Sequence, residues 1–451
     1  MANPSKPGTT GTAEQAGPRT ILAMAGVHLA VVGFLVADFV FTWALAELSR
    51  VQVVLLVAAV LWLAAGAFIS VKIGQGFRLP LGFENVLVSL TAAAVAVGVL
   101  EVGLRLVVPD PSRYLRPPNV RSSTSLDGEQ APGVRGVANF TTNEWGLRGP
   151  SVELMSGKPN ASRIITIGGS TTLCEFLDDS EEWSHLLMQD LNHRQDKTFA
   201  FVASAAANGH NTADHLEMLK RFTLMENADV LVFLTGVNDL TATLAFEGGS
   251  TQEALTARAF DTSFTDPPRY PFYTRSRVYA LMNAFRSLAG FRRNPRGSEW
   301  YAERRRMRAE APTVPMPDLT LGVQEYQTRV RNLAEECRSA GKRCVFLTQP
   351  TMWRSDQLPA EERLLFFGST GPSENPKGFV RASDLARGMN QFNEALLTEC
   401  RINSLECYDL AAAIPKNTTA FYDDCHFNEE GARLVAKFLA DRMLEAAPLR
   451  D

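Results

Sequence analysis

Ser170 follows two glycines at the end of an apolar run, Arg163-Ile-Ile-Thr-Ile-Gly-Gly-Ser-Thr-Thr172. An isoleucine-rich run that stops at paired glycines reads as a buried strand ending in a tight turn, which leaves a hydroxyl exposed and a main-chain N–H free. A serine hydroxyl becomes a nucleophile only when a base takes its proton. Of the six histidines His426 is best placed, because Asp423 lies three residues before it in Phe421-Tyr-Asp-Asp-Cys-His-Phe-Asn428 and can hold the ring in one tautomer. Asp424 is a second carboxylate within reach of the same ring. Two further blocks offer hydrogen-bond donors for a developing oxyanion: Gly209 in Ala205-Ala-Ala-Asn-Gly-His-Asn-Thr212 through its main chain, and Asn238 in Leu234-Thr-Gly-Val-Asn-Asp239 through its side-chain amide. With the N–H of Ser170 itself they make three donors. Each residue also has a plain structural reading: Asn238 and Asp239 as helix caps, Gly209 as a turn glycine, and His210 and His215 as loop and helix-surface residues.

These blocks need elements that bring them to one place. After residue 162 short apolar runs alternate with amphipathic segments. Strands are expected at Arg163–Ile167, Thr198–Ala203, Asp229–Thr235, Arg343–Thr348 and Leu405–Leu410. Helices are expected at Glu181–His193, Ala213–Glu226, Val323–Ala340, Ser383–Cys400 and Glu429–Glu445. Continuous apolar strands separated by helices imply an α/β domain with a mainly parallel sheet covered on both faces, in which ligands gather at the carboxyl ends of the strands. Three of the four blocks directly follow such strands, and the fourth directly precedes the last helix. An insertion at about 240–321 interrupts the pattern, with Tyr270-Pro-Phe-Tyr273, Phe291-Arg-Arg and Glu303-Arg-Arg-Arg306. Arginines among aromatics suit anionic headgroups or an acidic glycan, but a solvated, salt-bridged helix accounts for them more simply.

In content and order the four blocks resemble those of the SGNH (GDSL-like) hydrolases, over roughly residues 140–446. The resemblance implies Ser170 as nucleophile, His426 as base, Asp423 as the third member of the triad, and Ser170, Gly209 and Asn238 as the oxyanion hole. It also implies a flavodoxin-like three-layer α/β/α domain, esterase or lipase chemistry, and no required cofactor. Gly169 stands where many members carry aspartate. The Gly-Gly-Ser-Thr-Thr form, and the upstream Asn143-Glu-Trp-Gly-Leu-Arg-Gly-Pro150, resemble the membrane-anchored branch.

The amino-terminal part differs in kind. Residues 1–20 read as a disordered tail, and apolar runs at Ile21–Leu48, Val51–Val71 and Val86–Val108 are each long enough to cross roughly 30 Å of hydrocarbon as helices. Lys6, Arg19, Lys72 and Arg78 against a single Arg50 place the amino terminus inside, so three spans through the bilayer of an inner (cytoplasmic) membrane put the catalytic domain on the periplasmic or extracellular side. Glu101 and Arg105, four apart on the third span, can pair. Residues 109–139 read as a proline-rich linker from membrane to domain.

The six cysteines fit an oxidising compartment. Cys337 with Cys344 and Cys400 with Cys407 repeat one spacing at a helix end and the next strand start. Cys174 and Cys425 flank the candidate nucleophile and base, and a third bridge is expected between them. No close Cys-x-x-Cys pair suggests a metal, and the net charge of −4 gives no reason to expect nucleic acid. The whole points to a membrane-anchored serine ester hydrolase acting on an acylated glycan or other ester. An O-acyltransferase acting on a glycan, or a non-catalytic glycan-binding scaffold with the same fold, are the alternatives.

Overall fold

The computed structural model describes residues 96–107, 276–278 and 281 and, with short gaps, 115–251, 298–371 and 376–446. Contacts divide the chain into two units, residues 1–112 with 265–288 and residues 113–264 with 289–451.

In the first unit residues 96–107 are helical, with apolar side chains facing outward: Leu106 is 83% and Val99 68% exposed. Glu101 and Arg105 form the expected pair at 2.8 Å. Glu101 also accepts from the Ser276 hydroxyl (2.7 Å) and from the N–H groups of Arg277 (3.0 Å) and Val278 (3.1 Å). Among the described residues no helix is long and apolar enough to cross a membrane. The tail, the expected spans at Ile21–Leu48 and Val51–Val71, and the first part of that at Val86–Val108 lie outside the described residues.

The second unit opens with an antiparallel pair, β1 (Arg121–Ser125) on β2 (Val137–Thr141), inside the stretch read as linker. Leu126, Ala131 and Val134 between them enter the core, so this stretch is packed structure as well as connection. The central sheet comprises β3 (Ser162–Gly168), β4 (Ala200–Ser204), β5 (Val230–Leu234), β6 (Arg343–Leu347) and β9 (Glu406–Tyr408), all parallel, in spatial order β4-β3-β5-β6-β9. A minor antiparallel pair joins β7 (Ser369–Thr370) to β8 (Gly378–Phe379). β3, β4 and β5 were legible as apolar runs because both faces of a parallel sheet are covered, whereas the edge strand β9, Glu406-Cys407-Tyr408, is only half-buried. Helices Trp183–Arg194 and Glu429–Ala446 pack together, the former against β4; Thr212–Arg221, Thr320–Ser339 and Ala382–Asn403 form a second group against β6 and β9. Phe233 and Phe346, paired in register on β5 and β6, stack at 4.9 Å inside this core.

Counted along the sheet, the strand order is two-one-three-four-five, the flavodoxin-like arrangement. The chain reverses its direction of winding at β3, so β3 and its neighbours β4 and β5 open a crevice at their carboxyl ends. Ser170, Gly209 and Asn238 follow these three strands in turn.

Two disulfides staple helices to the strands that follow them, Cys337–Cys344 onto β6 and Cys400–Cys407 onto β9. The third expected bridge is not formed. Cys174 and Cys425 are free buried thiols, and the Cys174 sulfur turns back to the Thr171 carbonyl at 3.4 Å. Cys174 ends the short helix Ser170–Leu173 with φ 49°, a left-handed cap whose course follows that turn.

Candidate active site

Gly168 ends β3, and Ser170 begins the helical turn Ser170–Leu173 directly beyond Gly169. As the first residue of the turn, Ser170 has an N–H with no intrahelical acceptor. A methyl group on Gly169 would lie 2.3 Å from Asn238 Nδ2 and 3.1 Å from the His210 carbonyl. A side chain here would have to displace the Asn238 amide or the loop that carries His210.

His426 reaches this turn from the loop before the last helix. The Ser170 hydroxyl lies 2.7 Å from Nε2, while Nδ1 lies 2.7 and 2.9 Å from the two oxygens of Asp423. With the proton on Nδ1, donated to the carboxylate, Nε2 accepts from the serine O–H. Asp423 is completely buried, and its Oδ1 also accepts the N–H groups of His426 (2.9 Å) and Cys425 (3.0 Å), so the loop itself holds the carboxylate. Burial by itself would lower the affinity of the His426 ring for a proton. The charge of Asp423 and its hydrogen bond outweigh that, and the ring titrates above its ordinary value.

The adjacent carboxylate has a different task. Asp424 accepts from Trp353 Nε1 (2.7 Å) and from the N–H groups of Phe366 (2.7 Å) and Phe367 (3.2 Å), pinning that segment beside the base. Burial pushes its pKa up to about 6, against the pull of Arg308. Of the two carboxylates that the sequence offers, Asp423 holds the ring and Asp424 holds the wall.

The oxyanion candidates converge on the same turn. Gly209 has φ 76°, a left-handed conformation suited to glycine. Asn238 donates one amide hydrogen to the His210 carbonyl (2.8 Å), which leaves the second for another acceptor. Asp239 is no simple cap: it is buried and accepts from the Thr212 hydroxyl at 2.5 Å, while Arg329 Nε donates to the same hydroxyl at 2.8 Å. This network ties the helix after Gly209 to the helix that carries Asn238. His210 and His215 are buried rather than on a loop surface or helix surface, and burial pushes His215 down to about 3, so it stays neutral.

One residue of the site was visible in the sequence only as part of a motif. Arg148 is fully buried, and its guanidinium spends every edge beneath the Ser170 turn. Nε donates to Asp179 (2.8 Å), Nη1 to the carbonyls of Leu173 (2.5 Å) and Cys174 (2.8 Å), and Nη2 to those of Leu177 (2.6 Å) and Asn139 (3.4 Å). Asn143 folds the segment by accepting the N–H groups of Trp145 (3.0 Å) and Leu147 (3.2 Å). The motif Asn143 to Pro150 is the only signal, and it does not say which loop the arginine serves.

Asp423, Cys425 and His426 are, among the described residues, the one group of metal-ligating atoms close enough to share an ion. Both ring nitrogens already have partners, and burial pushes the Cys425 thiol well above its usual range, which keeps it protonated and a poor ligand.

Residues 165–434 match the model of the GDSL-like Lipase/Acylhydrolase family, which spans more than half of the chain. No curated protein matches the sequence. Solved structures similar to it include the acetyl xylan esterase AlAXEase (15% identity, 63% of this chain and 99% of that one, TM-score 0.33). Others are Axe2, an acetylxylan esterase from Geobacillus stearothermophilus (12%, 66% and 97%, TM-score 0.35), and the esterase EstA from Pseudoalteromonas sp. (12%, 63% and 97%, TM-score 0.31).

Proposed function

This chain belongs to the GDSL-like lipase/acylhydrolase family, and from that premise we propose that it is a serine ester hydrolase with Ser170, His426 and Asp423 as its triad. The observation that carries the reading is the line of hydrogen bonds from the Ser170 hydroxyl to Nε2 and from Nδ1 to the buried Asp423. Ser170 Oγ attacks the ester carbonyl carbon while His426 Nε2 takes the hydroxyl proton. The carbonyl oxygen becomes an oxyanion, received by the N–H groups of Ser170 and Gly209 and by the free amide hydrogen of Asn238. Collapse of the intermediate expels the alcohol, which takes its proton from Nε2. Water, deprotonated by the same nitrogen, then attacks the acyl-serine, and breaking the Ser170 Oγ–acyl bond releases the carboxylic acid and restores the serine.

The substrate in this reading is an acyl, foremost acetyl, ester on an envelope or exported glycan. Three apolar runs before residue 109 anchor the enzyme in the inner membrane with this domain outside the cytoplasm; their length and the outward apolar face of residues 96–107 support it. Two disulfides support an oxidising compartment. The test is Ser170→Ala in the full-length protein. Hydrolysis of 4-nitrophenyl acetate should vanish with the fold intact by circular dichroism, and retained turnover would remove Ser170 from the mechanism.

A further inference from the structure

The alcohol half of an ester must leave on the side of the base, because His426 Nε2 hands it the proton. What lines that side therefore selects the alcohol. The imidazole lies nearly parallel to two rings, Tyr422 at 5.6 Å and 14° and Phe366 at 6.3 Å and 7°, with Phe367 at 6.1 Å. Tyr422 is buried, so the reachable surface continues through Phe366 to Trp300, which meets Phe366 edge to face at 5.3 Å and is 45% exposed.

Trp300 comes from the insertion, and its mount is firm. It sits on the helix Ser298–Glu310, two of whose four arginines, Arg305 and Arg308, grip the base-side wall. Arg305 donates to the carbonyls of Leu364 (2.9 Å), Gln130 (2.8 Å) and Tyr422 (3.4 Å), and Arg308 to those of Phe367 and Val380. Arg304 lies against the Trp300 ring at 5.5 Å. Only Arg306, paired with Glu303 at the surface, fits the solvated face expected from the sequence. Tyr301, next to Trp300, is buried against Phe176, Phe366 and Tyr422 and locks the helix down.

We infer that Trp300 and Phe366 form a platform for the sugar rings of the alcohol half of the substrate, an inference that rests on the hydrolase reading above. A large, half-exposed indole held rigidly by its neighbours offers a flat apolar face at low entropic cost, which suits the C–H face of a pyranose. Its place one ring beyond Phe366 puts it a sugar unit or more from the scissile bond, so the platform selects oligosaccharides over monosaccharides.

The test compares full-length wild type with Trp300→Ala and Trp300→Phe on acetylated cello-oligosaccharides, acetylated glucose and ethyl acetate. Trp300→Ala should raise KM for the oligosaccharide about ten-fold, the scale of one lost aromatic contact, and Trp300→Phe should recover most of it. Turnover of the oligosaccharide and all parameters for ethyl acetate should hold within about two-fold of wild type. An unchanged oligosaccharide KM, or an equal loss on ethyl acetate, overturns the platform. Binding of unacetylated cellotetraose to Ser170→Ala, followed by isothermal titration calorimetry, separates the two ideas. If wild type hydrolyses nothing but this binding is present and disappears on adding Trp300→Ala, the hydrolase reading fails and the platform stands. If binding persists without Trp300, the platform fails.

Discussion

Arg148 Nη1 donates to the main-chain carbonyl of Cys174 at 2.8 Å, four residues past Ser170, and through this bond a fully buried charge fixes the exit of the nucleophile turn. The same guanidinium engages Leu173, Leu177, Asn139 and Asp179. A lysine carries the charge but has three donors on one nitrogen and cannot span these acceptors. Arg148→Lys should lower the unfolding free energy by about 3 kcal/mol, the scale of buried acceptors left without donors, and reduce kcat more than it changes KM. Urea denaturation and steady-state kinetics check both, and wild-type stability in the variant would show that the carbonyls find other partners.

The pH dependence follows from the pair His426 and Asp423. The proposed mechanism needs neutral His426, and the carboxylate favours the protonated ring, so the acid limb of kcat/KM should lie above the ordinary imidazole value, with activity rising as pH increases through it. Asp423→Asn should move that limb to lower pH and cut kcat by about 10⁴-fold, as loss of the orienting carboxylate does in serine proteases. A limb that stays in place would mean another group titrates.

Gly169→Ala tests the fit of the oxyanion loops. The new methyl group would lie 2.3 Å from Asn238 Nδ2, so the amide must move away from the turn. Losing one oxyanion donor costs about a hundred- to a thousand-fold in kcat, and this substitution should approach Asn238→Ala in effect. Because the two act on one donor, the double variant should be no worse than Asn238→Ala alone; additive losses would refute the shared cause.

The cysteines should divide into two classes. Burial pushes Cys174 up to about 12 and Cys425 well above its normal range, so neither yields thiolate at neutral pH. Ellman's reagent should find no reactive thiol in the native protein, two after denaturation and six after reduction, a count that follows from two bridges and two free residues. Removing the Cys337–Cys344 bridge by serine substitution should cost about 2 kcal/mol, the loop-closure value for so short a loop.

The five central strands, the order of the four candidate blocks and the two local disulfides were legible because each is written in neighbouring residues. Apolar runs mark buried strands, glycines mark turns, and cysteines seven apart at a helix-to-strand junction are already close. Asp423 could be favoured over Asp424 only through resemblance, since both stand within reach of His426 along the chain and their separation into ring holder and wall holder depends on Trp353, Phe366 and Phe367. The bridge expected between Cys174 and Cys425 failed for the same kind of reason: nearness to the site is no guarantee that two sulfur atoms face each other, and a left-handed cap turned one of them inward. The sequence by itself determined which chemical groups are present and which strand ends carry them. Only the tertiary structure decided that Arg148 lies beneath the nucleophile turn and that the insertion's helix walls the base, because both rest on hydrogen bonds to carbonyls, and main-chain carbonyls are the same at every residue.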